Sequence, residues 1–102
     1  MTNFLLGLAK TIEARKDKDI KKSYTSFLLS KGFRECLSKF NEETLEFAEA
    51  IKTNKNIVHE SADVIYHFLV TLESRGVKFI DVLKELEKRT KQSGLEEKRN
   101  RK

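Results

Sequence analysis

Proline is absent from the whole of this 102-residue chain, and glycine occurs only four times. Proline breaks helices, and tight hairpin turns lean on glycine, so a chain nearly free of both suits long uninterrupted helices better than a sheet built on turns. Charged residues make up 36% of the sequence, as expected for amphipathic helices with one wet face. The fold class read from this pattern is all-α. The length supports one hydrophobic core and not two, so residues 1–102 are taken as one domain.

Apolar residues at Phe4, Leu5, Leu8, Ala9 and Ile12 predict a helix from Asn3 to about Lys16, with Thr2 or Asn3 as its N-cap. The charged stretch Asp17–Lys22 reads as a loop, followed by a short helix stopped at Gly32. From Phe33, apolar residues recur at steps of three and four through Leu37, Phe40, Leu45, Ala48 and Ile51, until Thr53–Asn56 supplies turn-forming types. Ile57–Leu72 is the most apolar segment, with Gly76 placed just past its end, and deep burial is expected for it. A last stripe of Phe79, Val82, Leu83 and Leu86 fades into a charged tail from about Thr90, expected to be mobile. The two central helices should lie antiparallel in a bundle of four to five helices. One small chain has little left to cover the apolar fourth helix, so a homodimer is expected to complete the bundle.

The only cysteine, Cys36, excludes an intramolecular disulfide and reads as a small buried apolar residue. No apolar run reaches the ~20 residues needed to span a membrane. The start Met1–Leu6 lacks the basic region and cleavage site of a secretory signal, so no membrane association and a cytoplasmic location are expected. A net charge of +5 is spread along the chain, and it suits phosphorylated small molecules as well as nucleic acid.

Against this basic background, Asn41–Ile51 holds Glu42, Glu43, Glu46 and Glu49 with no lysine or arginine among them. Like charges one turn apart cost a few tenths of a kcal/mol per pair, so a positive group should face them. Glu60 and Asp63 lie inside the most apolar helix, where an unpaired ionised carboxylate would cost several kcal/mol. Spacings of three put Glu43 with Glu46, and Glu60 with Asp63, on single helix faces. Facing each other, the pairs make a four-oxygen cage suited to Mg²⁺ or Mn²⁺, and thus to metal-assisted phosphoryl hydrolysis. A di-iron bundle is disfavoured, since it uses Glu-x-x-His pairs. An isolated Glu-x-x-Glu is ordinarily a solvated helix face; here the pairing of two motifs and the apolar setting of the second favour a metal site.

Glu42-Glu43-x-x-Glu46 followed by Glu60-x-x-Asp63 resembles the signature of the MazG-like all-α nucleotide pyrophosphohydrolases. Within that superfamily, several segments are similar to the phosphoribosyl-ATP pyrophosphohydrolase family. They are Ser23-Tyr24-Thr25, Leu28-Leu29-x-Lys31-Gly32, Tyr66-His67, Asp81-Val82-Leu83 and Gln92-Ser93-Gly94-Leu95. The resemblance implies cleavage of phosphoribosyl-ATP between its α- and β-phosphates, giving phosphoribosyl-AMP and pyrophosphate in the second step of histidine biosynthesis. It also implies a homodimer. Residue by residue, it makes Glu43, Glu46, Glu60 and Asp63 metal ligands, while Glu42 matches an acid that binds a further metal or orients water. Phosphoribosyl-AMP cyclohydrolase is a functional neighbour by resemblance, and no residue here speaks for or against contact with it.

For the chemistry, Glu42 or Glu43 is the candidate general base. Ser23, Tyr24 and Thr25 are placed to hydrogen-bond phosphate or ribose. Lys31 and Lys39 either meet phosphate charge or simply solubilise the surface. His67, four residues after Asp63, either donates to that carboxylate and orients it or packs as a core histidine. Asn41 stands where the family commonly has glycine, which bears on the substrate pocket and leaves the carboxylates intact. Two other readings compete with the first. One is a housekeeping enzyme acting on ordinary or damaged (deoxy)nucleoside triphosphates; the other is a non-enzymatic basic helical dimer that binds nucleic acid.

Overall fold

The computed structural model describes residues 2–91 of the chain. Five helices follow in order, α1 Thr2–Ala14, α2 Tyr24–Ser30, α3 Phe33–Thr53, α4 Ile57–Ser74 and α5 Phe79–Thr90, and no strand occurs among the described residues. The all-α reading therefore holds. The expected charged tail and the Gln92–Leu95 motif lie outside the described residues.

Local chemistry fixes the helix ends. The Ser23 hydroxyl caps α2 by accepting from the Ser26 amide at 3.1 Å. Gly32, at φ 90°, occupies a conformation that side chains rarely adopt and turns the chain from α2 into α3. Asn54 and Asn56, at φ 57° and 58°, carry the left-handed link between α3 and α4, and asparagine tolerates that region better than most residues. At the end of α4 the Gly76 amide donates to the Glu73 carbonyl at 2.9 Å and the Val77 amide to the Leu72 carbonyl at 3.0 Å. This paired closure is a Schellman motif with Gly76 at φ 71°. The first helix stops at Ala14, slightly short of the expected Lys16; Arg15 and Lys16 continue as turns toward Asp17, whose φ is 63°.

The spine is the antiparallel pair α3 and α4, as expected from their short connection. Its register is visible in cross-contacts. The Thr71 hydroxyl donates to the Cys36 carbonyl at 3.3 Å, and the rings of Phe40 and Phe68 lie 6.2 Å apart. The other helices lean on the end of this pair where α3 begins and α4 ends. There Ile12, Leu28, Cys36, Leu69 and Val70 form the buried core, with Leu8, Ala9, Leu29, Tyr66, Phe68 and Phe79 packed around it. Side-chain bonds tie the layers together: Ser26 Oγ donates to the Arg15 carbonyl at 2.7 Å, Thr25 bonds Tyr66, and Lys78 bonds Glu13 between α5 and α1.

The expectation that all of Ile57–Leu72 is deeply buried fails for its first half. Val58 is 84% exposed and Ile65 is also exposed, while His67, Leu69 and Val70 are buried. The reason is topological: α1 and α2 both pack near the C-terminal end of α4, so the link end of the hairpin projects as an arm with no third helix upon it.

A β-carbon added at Gly76 would meet nothing within 4 Å, so only backbone strain opposes substitution there. Gly76→Ala is expected to lower stability by about 1 kcal/mol, and Gly76→Asn by less, in urea denaturation at fixed protein concentration.

Candidate metal centre

Register brings the acidic faces of α3 and α4 together. Oxygens of Glu43, Glu46 and Glu60 all lie within 4.8 Å of one another. Asp63 groups instead with Glu60 and with His59, again with donor atoms within 4.8 Å. The four carboxylates expected as one cage thus form two overlapping sets that share Glu60. Their setting is half-buried: Glu43, Glu60 and Asp63 are partly covered and Glu46 is exposed, because the hairpin arm has one open side.

Two properties of these groups bear on a cation. Glu60 Oε1 is shielded from solvent and has no hydrogen-bond partner among the described residues. A buried carboxylate oxygen left so is costly, and a bound cation relieves it. Burial, and then the neighbouring charge of Glu46, raise the Glu43 carboxyl above the ordinary glutamate value; Asp63 and Glu60 act in the same direction and His67 opposes them. Clustered hard oxygens with an unsatisfied member fit a hard divalent ion such as Mg²⁺ or Mn²⁺.

Glu42 stands apart from both sets. Its carboxylate is largely exposed and lies 3.7 Å from Lys39 Nζ, one turn earlier on α3. Of the two readings open for His67, the structure shows the packed core histidine. His67 Nδ1 bonds the backbone carbonyl of Asp63 at 2.9 Å, not its carboxylate, because the ring turns inward and is buried. It is His59, one turn before Asp63, whose Nε2 lies 3.4 Å from the Asp63 carboxylate. The sequence signal for His59 was its four-residue spacing to Asp63, the same spacing that drew attention to His67 on the other side.

The profile of the family described as phosphoribosyl-ATP pyrophosphohydrolase matches residues 5–90. The chain belongs to the phosphoribosyl-ATP pyrophosphohydrolase family. It is 50% identical to a phosphoribosyl-ATP pyrophosphatase of Ruegeria pomeroyi, over 94% of this chain and 93% of that protein. It is 47% identical to phosphoribosyl-ATP pyrophosphatase 1 of Bradyrhizobium diazoefficiens, over 93% of this chain and 92% of that one. With phosphoribosyl-ATP pyrophosphatase 1 of Rhodopseudomonas palustris the identity is 46%, over 100% of this chain and 98% of the relative.

In this phosphoribosyl-ATP pyrophosphohydrolase family member, the Ser23-Tyr24-Thr25 segment divides its labour. Ser23 is spent on capping α2, and Thr25 on the bond to Tyr66. Tyr24 remains exposed; its ring stacks on Tyr66 at 6.5 Å and meets the edge of His67 at 6.3 Å. Lys31 stands over the Phe27 ring at 5.2 Å, and the backbone of α3 rises ~15 Å between Phe33, near Lys31, and Glu43. A groove of about 370 Å³ leads from Glu46 and Glu60 toward the hairpin link, where Lys55 and Asn56 line it. Lys55 was not singled out by sequence; the antiparallel return of the chain brings Glu46 and Glu49 of α3 to the groove that it lines. Cys36 is buried, its thiol donates to the Leu28 carbonyl at 3.3 Å, and burial pushes its pKa up, all as suits a packing residue.

Because the folded state raises the Glu43 pKa, it binds more protons than the unfolded chain as pH rises past the ordinary glutamate value. Stability is therefore lost through that window, and the loss is complete once the folded-state carboxyl has ionised. Metal-free Glu43→Gln should thus be more stable than the parent at pH 7, by roughly 0.5 kcal/mol, with the gain vanishing below the ordinary glutamate pKa. Thermal unfolding in chelator across pH 3–8 reads this directly.

Proposed function

We propose that this protein hydrolyses phosphoribosyl-ATP to phosphoribosyl-AMP and pyrophosphate, as a homodimer that uses Mg²⁺. The observation that carries the reading is the in-register meeting of Glu43 and Glu46 with Glu60, which also groups with Asp63 and carries a buried, unpartnered oxygen, in a chain of this family. When bound, Mg²⁺ would supply phosphate charge neutralisation and make water more acidic. Glu46 and Glu60 would hold it, with Glu43 beside them in the same set.

The chain's own groups do the rest. Glu43, whose proton affinity is raised, accepts the proton of the attacking water, and Glu42 remains outside the cluster beside Lys39. Lys55 faces the groove beside Glu46 and Glu60 and offers a positive charge to the phosphates. Tyr24 presents an exposed ring to the base, held by its stack on Tyr66.

The projecting arm supports the dimer. Leu45 is 72% exposed, and Ile51, Val58 and Ile65 are also exposed, an apolar excess that a second hairpin would cover to make a four-helix bundle. Each such side chain is worth about 1.5–3 kcal/mol when fully buried. A Leu45→Asp, Val58→Asp variant is therefore expected to weaken self-association at least ~100-fold in sedimentation equilibrium, which two buried apolar side chains suffice to supply.

The activity test is pyrophosphate release from phosphoribosyl-ATP with and without Mg²⁺, beside a panel of nucleoside triphosphates. Metal-dependent turnover of phosphoribosyl-ATP is expected, with a loss of about 10³-fold or more in Glu46→Ala, Asp63→Ala. Turnover confined to other triphosphates would move the protein to a housekeeping role, and no turnover at all would overturn the enzyme reading.

A further inference from the structure

His59 stands at the carboxylate cluster and is left unused by the proposed chemistry. It sits one helical turn before Asp63, with Nε2 at 3.4 Å from Asp63 Oδ2, and its donor atom falls within 4.8 Å of those of both Glu60 and Asp63. Two ligands four residues apart on one helix reach a single ion, as in helical His-x-x-x-His zinc sites. Glu60 adds a third donor and belongs equally to the all-oxygen set with Glu43 and Glu46. Its Oε1 is shielded from solvent and has no hydrogen-bond partner among the described residues. His59 is 74% exposed at its side chain, so the outer positions of an ion held there would be open to water or phosphate oxygens.

The other histidine offers no such position. His67 is buried, its Nδ1 is bonded to the Asp63 carbonyl, and its ring is packed against the edges of Tyr24 and Tyr66.

We propose that His59, Glu60 and Asp63 form a mixed nitrogen and oxygen cation position beside the Glu43, Glu46 and Glu60 position, and that its imidazole makes it select Mn²⁺ over Mg²⁺. The physical basis is ligand type. Mg²⁺ is held by oxygen ligands and keeps its waters, whereas an imidazole nitrogen favours first-row transition ions. An exposed His–Asp contact on a helix surface is the plain alternative, worth little on its own.

The inference rests on the carboxylates being a cation site, and its test separates the two. Mn²⁺ would be titrated into the intact protein, with and without competing Mg²⁺, and the bound ion examined by pulsed electron paramagnetic resonance for coupling to ¹⁴N. The same measurements would be made on His59→Ala, whose exposed position should leave the thermal midpoint unchanged. Expected are ¹⁴N coupling in the parent, its loss in His59→Ala, and a Mn²⁺ affinity about 10-fold or more weaker in the variant while Mg²⁺ affinity holds. Bound Mn²⁺ without nitrogen coupling, or coupling and affinity that persist in His59→Ala, would overturn this position and leave the carboxylate site standing. No Mn²⁺ bound by either protein would overturn both.

Discussion

The packing of α3 against α4 sets the position of the carboxylate cluster. Antiparallel return through a short link fixes which residue on one helix meets which on the other, so Phe40 faces Phe68 and Glu46 faces Glu60. The apolar contacts at the start of α3 supply the energy, and the carboxylates further along accept the geometry that those contacts impose. A change of register by one residue would rotate side chains by ~100° around the helix and disperse the cluster.

The same pairing concentrates charge that the fold alone has no use for. Glu43 is desolvated by burial and feels Glu46, Asp63 and Glu60, and it holds its proton more tightly as a result. A chain selected only for stability would interleave lysine on this face, as α5 does with Glu85 and Arg89 at 3.0 Å. Local conflict of this kind, set in an otherwise consistent helical pattern, is what a functional site is expected to leave in a sequence.

Much of this was legible in the sequence because helices announce themselves by period and by the residues that end them. Gly32, Gly76 and the asparagines of the α3–α4 link each occupy the left-handed backbone region that their side chains, or lack of one, allow. The paired carboxylates were legible for a similar reason, since spacing on a helix is spacing on a face. Burial along α4 was not: hydropathy shows that Val58 prefers cover, and only the placement of α1 and α2 shows that this chain does not provide it. Side-chain direction was also hidden. His59 and His67 lie symmetrically about Asp63 in sequence, yet one reaches its carboxylate and the other its backbone carbonyl.

The brevity of the Asn54–Asn56 link has a kinetic consequence. Closing so small a loop costs little entropy, and contacts close in sequence form early, so the α3–α4 hairpin should assemble before α1 and α5 find their places. The mutual repulsion of Glu43, Glu46, Glu60 and Asp63 is then met on the way to the folded state, before the rest of the chain has contributed its contacts. A divalent ion that screens these charges would accordingly act on the rate of folding as well as on the lifetime of the folded chain.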